Sequence, residues 1–130
     1  MSNIISPKTQ SKKNSGQSNT IKKLCNAIKQ KRLIKFYYES TTNKRNDWRI
    51  VEPYVVGIKE NGKGNIFLAG WFRPTDAQLK NKQIPDMRHY LIDSINKLEI
   101  LPQKFKELKV ESHIVKKTPS IEVICCVSFK

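Results

Sequence analysis

The chain has no long apolar run. Its longest, Ile66 to Phe72, is seven residues with two small ones among them, whereas a membrane-spanning helix needs about twenty; neither a transmembrane helix nor a membrane partner is expected. The first twenty residues carry Lys8, Lys12 and Lys13 but nothing more apolar than Ile4-Ile5, so the hydrophobic middle of a secretory signal is missing and a cytoplasmic location is expected. Cysteine is sparse as well. Cys25, Cys125 and Cys126 form no CxxC pair and leave one over, which suits a reducing compartment and argues against structural zinc. Cys25 reads as a small core residue.

The raw material of catalysis is equally thin. His89 and His113 are the only histidines, no serine or cysteine sits in a nucleophile-elbow setting, and there is neither a glycine-rich phosphate loop nor an HExxH motif. The 11 acids are scattered rather than clustered for a catalytic metal. An enzyme is therefore not expected, nor is any cofactor.

What the chain does have is positive charge. Lysine and arginine number 25 against those 11 acids, a net charge of +14 over 130 residues. That balance favours polyanionic partners, and the length suits one domain. Between Lys22 and Arg49 lie nine basic residues and only two acids, Glu39 and Asp47.

Residues 1–19 are almost all polar or basic, a composition that cannot offset the entropy of ordering, so a disordered tail is expected there. From Thr20 the pattern changes. Ile21, Leu24, Cys25 and Ile28 fall at helical spacing while lysines, asparagine and glutamine take the other positions, which predicts a short amphipathic helix. Leu33–Tyr38, Trp48–Ile58, Asn65–Arg73, His89–Asp93 and Ile95–Leu101 are rich in β-branched and aromatic residues and predict five strands. Lys59 to Gly64, with its Asn61-Gly62 step, predicts a hairpin between the second and third, and Pro74 to Pro85 a longer excursion. The expectation is a mainly β protein, a small antiparallel barrel over residues 20–101. Residues 102–130 form an extension, with a turn of helix near Phe105 and Leu108 and a last strand over Ile121–Phe129.

The order of several segments adds a resemblance. Leu24-Cys25-Asn26-Ala27-Ile28 leads to a strand ending Lys35-Phe36-Tyr37-Tyr38. There follow Trp48-Arg49-Ile50-Val51-Glu52-Pro53-Tyr54, Ile66-Phe67-Leu68-Ala69-Gly70-Trp71 and Arg88-His89-Tyr90-Leu91-Ile92-Asp93-Ser94-Ile95. Together they resemble the WYL domain family, a Sm-like or SH3-like barrel module of prokaryotic regulators. In the naming triplet, Ile66 and Phe67 stand where the family has Trp and Tyr, and Leu91 and Ser94 replace two arginines of the last signature. The resemblance implies a stand-alone sensing or nucleic-acid-contacting module without a helix-turn-helix, active in transcriptional or defence regulation. Its partners would be single-stranded DNA or RNA, a nucleotide-like anion, a DNA-binding regulator or further copies of itself. It implies a ligand face built on Tyr38, Arg73 and Arg88.

The residues themselves suggest a second cluster. Lys44, Arg45 and Arg49 lie beside Trp48 in sequence, and cation with aromatic is the pairing that grips phosphate while stacking a base. A different expectation is an interaction module that pairs through barrel edges or through Ile121–Phe129 without touching nucleic acid.

Overall fold

The computed structural model describes residues 8–39, 46–59, 64–110 and 121–129. Helix α1 (Lys8–Gln30) leads into strands β1 (Arg32–Tyr38), β2 (Asp47–Lys59) and β3 (Asn65–Phe72). A short helix α2 (Asp76–Lys80) precedes β4 (Asp86–Leu91), a 3₁₀ turn (Ile92–Ser94), β5 (Ile95–Lys104) and β6 (Ile121–Cys126). All pairings are antiparallel, in the order β4-β3-β2-β1-β5, with β6 also on β2. The mainly β architecture is as expected.

α1 buries the predicted stripe: Leu24, Ala27 and Ile28 are in the core, with Ile21 and Cys25 packed against it. It stops at Lys31, whose left-handed backbone (φ 57°) turns the chain while its N–H donates to Ile28 O. The helix begins at Lys8 rather than Thr20, so much of the expected disordered tail is helical. Gln17, a turn before the stripe, donates from its amide to Asp93 Oδ1 of the 3₁₀ turn and ties this polar stretch to the sheet. The excursion between β3 and β4 holds α2, too short for periodicity to betray, although Thr75 and Gln78 make a reciprocal capping box.

β2 organises the sheet. Its first part pairs with β1, from Asp47 opposite Tyr38 to Val51 opposite Ile34, and its second part pairs with β6. Along its other edge it pairs with β3 down to Lys59 opposite Asn65, where Gly64 (φ 78°) donates to Lys59 O. This is the predicted hairpin; its tip, residues 60–63, lies outside the described residues.

The sheet is rolled, not flat. β1 and β4 are three strand spacings apart along the pairing path, about 14 Å in a flat sheet. Yet the Tyr90 ring of β4 lies 5.1 Å from Phe36 and 5.0 Å from Tyr38 of β1, edge to face. Tyr38 Oη accepts the N–H of Leu91 at 3.2 Å. Rolling needs a strand without bulk, and Gly70 supplies it: a Cβ there would stand 2.5 Å from Glu52 O and 2.6 Å from Val51 Cγ1.

The extension docks through a buried carboxylate. Glu52 is wholly buried; Tyr54 Oη donates to its Oε1 at 2.7 Å, and Arg73 Nε (2.7 Å) and Lys109 Nζ (3.0 Å) both reach its Oε2. Burial, then the neighbouring carboxylate, push the Tyr54 hydroxyl well above its ordinary range. The turn of helix expected near Phe105 and Leu108 does not form; N–H groups of that segment bond outside it, Phe105 N–H to Lys31 O in the turn after α1 and Lys109 N–H to the Tyr54 hydroxyl.

The cysteines depart from expectation. Cys25 of α1 and Cys125 of β6 form a disulfide across 100 residues. Sequence spacing gave no hint, because the two meet only once β6 has paired with β2. Disulfides are rare in reducing compartments, so the cytoplasmic location suggested by the cysteine count loses that support. Among the described residues no helix is long and apolar enough to cross a membrane.

Two stability measurements check this packing. Gly70→Ala should lower the unfolding free energy by about 1–3 kcal/mol in urea titration, the usual cost of overpacking. Arg73→Ala and Lys109→Ala should each cost less than about 2 kcal/mol, since one cation remains on Glu52. Together they should cost more than their sum, as a buried carboxylate without either cation approaches the ~3–5 kcal/mol of a broken buried pair.

Candidate functional site

Alternation along β2 divides the expected site residues between two faces. Trp48, Ile50 and Glu52 point one way, Asp47, Arg49 and Val51 the other. Trp48 is 40% exposed on the outer face and Arg49 only 4% exposed inside the roll. The neighbours in sequence are thus on opposite sides of the sheet. Lys44 and Arg45 lie outside the described residues.

On the inner face the roll brings together residues from four segments. The guanidinium carbon of Arg88 (β4) lies 4.4 Å from the centroid of the Phe72 ring (β3), and that of Arg49 lies 5.3 Å from the same centroid. Tyr38 and Tyr90 stand alongside. Tyr90 is 2% exposed, and its hydroxyl has no hydrogen-bond partner among the described residues. Burial raises the Tyr90 hydroxyl above its ordinary range, against the opposing charges of Arg88 and Arg49. Arg88 makes no ion pair with Asp86 or Asp93 among the described residues.

The segment after β3 walls this cluster. Arg49 Nη1 donates to Gln83 Oε1 at 3.1 Å and lies 3.7 Å from Asp47 Oδ2. Gln78 Nε2 donates both to Asp47 Oδ2 (3.0 Å) and to Trp48 O (2.8 Å). A cavity of about 420 Å³ opens here, lined by Asn46, Asp47, Arg49, Asn81, Lys82 and Gln83. Burial works against the Asp47 charge, but hydrogen bonds from Gln78 and the Trp48 N–H, with the charge of Arg49, hold its carboxyl below the usual range.

The outer face is a different surface. Tyr37 packs edge to face on Trp48 (5.5 Å between centroids), and Lys35 Nζ stands 5.0 Å from the Trp48 ring centroid. A second hollow of about 420 Å³ lies beside them, bounded by Ile50, Thr75, Ala77 and Asn81.

Of the expected ligand face, Tyr38 and Arg88 therefore converge, joined by Arg49 from the other expected cluster, and Arg73 does not, its guanidinium being held on buried Glu52. Sequence reasoning missed Asp47, Phe72, Gln78, Gln83 and Tyr90. The period-two alternation of β2 already places Asp47 with Arg49, and that of β4 places Tyr90 with Arg88. The Thr75-x-x-Gln78 spacing marks a helix start, but nothing in the sequence aims Gln78 or Gln83 at Asp47 and Arg49, since both act through the path of the excursion.

This geometry can be compared with known proteins. A solved structure of proteasome accessory factor B/C (PafBC) of Arthrobacter aurescens superposes with a TM-score of 0.57 at 18% identity, over 76% of this chain and 14% of that one. The likeness establishes a shared fold, and this chain spans a small part of that protein's length. No curated protein matches the sequence. The WYL domain model matches residues 19–100, from the middle of α1 into β5. That segment holds the whole inner-face cluster and more than half of the chain, which therefore belongs to the WYL domain family.

Proposed function

We propose that the chain is a non-catalytic, ligand-sensing regulatory module whose inner face takes a nucleotide-like anion, in transcriptional or defence regulation alongside a DNA-binding partner. One observation carries the reading: two arginines share the Phe72 ring beside a buried tyrosine hydroxyl that has no partner among the described residues. Guanidinium forks bind phosphate in bidentate fashion, and a tyrosine hydroxyl adds a directed bond. Asp47 and Gln83 hold Arg49 in place without an anion, so a ligand competes with Asp47 for it. Membership of the WYL family supports a regulatory role.

A second reading draws on the outer face. Exposed Trp48 with Lys35 at its ring suits base stacking with phosphate contact, so a single strand of DNA or RNA could be held there instead. The two readings separate by mutation. In calorimetric titration with ATP, Arg88→Ala should weaken binding roughly tenfold or more, the loss of a charge-assisted bond, and Trp48→Ala should leave it unchanged. The reverse pattern, with an oligonucleotide affinity that falls steeply with salt, would transfer the function to the outer face. No binding of either probe at low salt would refute both.

Asp47→Asn should tighten ATP binding several-fold by releasing Arg49. Because the Asp47 carboxyl titrates below its ordinary value of 3.8 in the folded chain, its stabilising contribution is fully present above that value and is lost as pH falls through the lowered one. Urea titrations below about pH 4 should show a shallower acid loss in Asp47→Asn than in the native chain.

A further inference from the structure

Half of β6, Glu122 to Ile124, is exposed. Among the described side chains of β6 and the residues just after it, Val127 alone is buried, at 9% exposure, and Cys125 and Cys126 are partly buried against the core, while Val123, Ile124 and Phe129 are 44%, 40% and 38% exposed. Its non-covalent ties include the ladder from Cys126 opposite Val55 to Ile121 opposite Lys59, the Val127 N–H donating to Tyr54 O at 2.7 Å and, just beyond the strand, the Phe129 ring 6.0 Å from Phe105 between centroids with Lys31 Nζ 5.0 Å from its centroid. A ladder on a sheet edge with little burial behind it is among the first parts of a fold to open. Yet β6 covers an edge of β2 whose Val55 and Val56 are wholly buried, and it lies so close that a Cβ on Gly57 would stand 3.1 Å from Glu122 O.

The strong tie is covalent. The Cys25–Cys125 disulfide joins this strand to α1, which is anchored independently by Leu24, Ala27 and Ile28 and by Lys23 Nζ donating to Leu98 O. Both cysteines are half-buried, so the bond is within reach of a reductant. The adjacent Cys126 is spared. It belongs to the opposite side of the strand by alternation, and its thiol is directed to Val127 O at 3.4 Å.

We propose that the Cys25–Cys125 disulfide is a redox-operated clamp: oxidised, it pins β6 over the edge of β2, and reduced, it lets β6 leave and bares the backbone edge of Val55–Lys59. A dithiol reductant opens it by thiolate attack on one sulfur, which breaks the S–S bond and forms a mixed disulfide. The second thiol of the reductant then displaces the protein sulfur. Two electrons and two protons pass to Cys25 and Cys125, which end as thiols, and the reductant ends as its own disulfide. The inner-face cluster does not touch this bond, so the proposal stands independently of the ligand reading.

The experiment uses the full chain, purified without reductant. Alkylation under denaturing conditions, read by intact mass, should add one adduct, on Cys126, before dithiothreitol and three after it. Hydrogen exchange on the folded protein should then show amides of β6 and of Val55–Lys59 exchanging at least tenfold faster in the reduced form, while β1 and β4 change little. Cys25→Ser should exchange like the reduced protein with or without dithiothreitol, and Cys126→Ser should keep the full response. Because the native chain supplies both states, the measurement does not depend on any variant folding. Three adducts before reduction would overturn the clamp, as would unchanged exchange at β6 after the bond is shown by mass to be broken, or general unfolding of the reduced chain.

Discussion

The contact between Tyr90 and the pair Phe36 and Tyr38 governs the rest of the molecule. These rings belong to strands that do not pair, and they meet only because the sheet rolls until its two sides close on a shared aromatic cluster. The Tyr38 hydroxyl, accepting from the Leu91 N–H, adds a polar latch across the same seam. Two buried rings and the half-buried Tyr38 supply apolar burial and edge-to-face attraction together. Where Tyr90 goes, Arg88 follows two residues away on the same face, and this is what brings a β4 arginine to the ring that Arg49 approaches from β2.

The arginines illustrate how environment sorts one residue type into different tasks. Arg73 is bound to a carboxylate with no exposure of its own, and that carboxylate also recruits Lys109, so Arg73 helps to seat the extension. Arg49 faces a carboxylate it only approaches, at 3.7 Å, across the mouth of a cavity. Arg88 rests on an aromatic ring with no ion pair among the described residues. A buried acid needs its cations to remain charged, whereas Arg88 rests on the Phe72 ring, and Arg49 on that ring, the Gln83 amide and the Asp47 carboxylate.

Much of the fold was legible because it is written in short periods. The Ile21, Leu24, Cys25 and Ile28 stripe marks the buried face of α1, and the β-branched and aromatic runs mark the five strands up to Lys104 with shifts of a few residues at their ends. α2 escaped because a helix of five residues completes little more than one turn. The helical reading of Phe105 and Leu108 failed because their spacing fits one turn of helix, while the N–H groups of that segment are taken by Lys31 and by Tyr54. In the candidate site, alternation along β2 is enough to separate Trp48 from Arg49, but it does not reveal that Tyr90 lies beside Tyr38.

The sequence alone settled which segments are strands, which helix face is buried, and that a chain with 25 basic and 11 acidic residues carries more cations than its own acids can pair. Tertiary structure decided which cations matter together: Arg49 and Arg88 meet at Phe72, Arg73 is withdrawn to Glu52, and Cys25 finds Cys125 across 100 residues. The division has a physical cause. Backbone geometry repeats every two or 3.6 residues, so the face a side chain occupies is a local property. Distance between faces of strands that never pair depends on how far the sheet rolls, and that is set by the packing of all its strands at once.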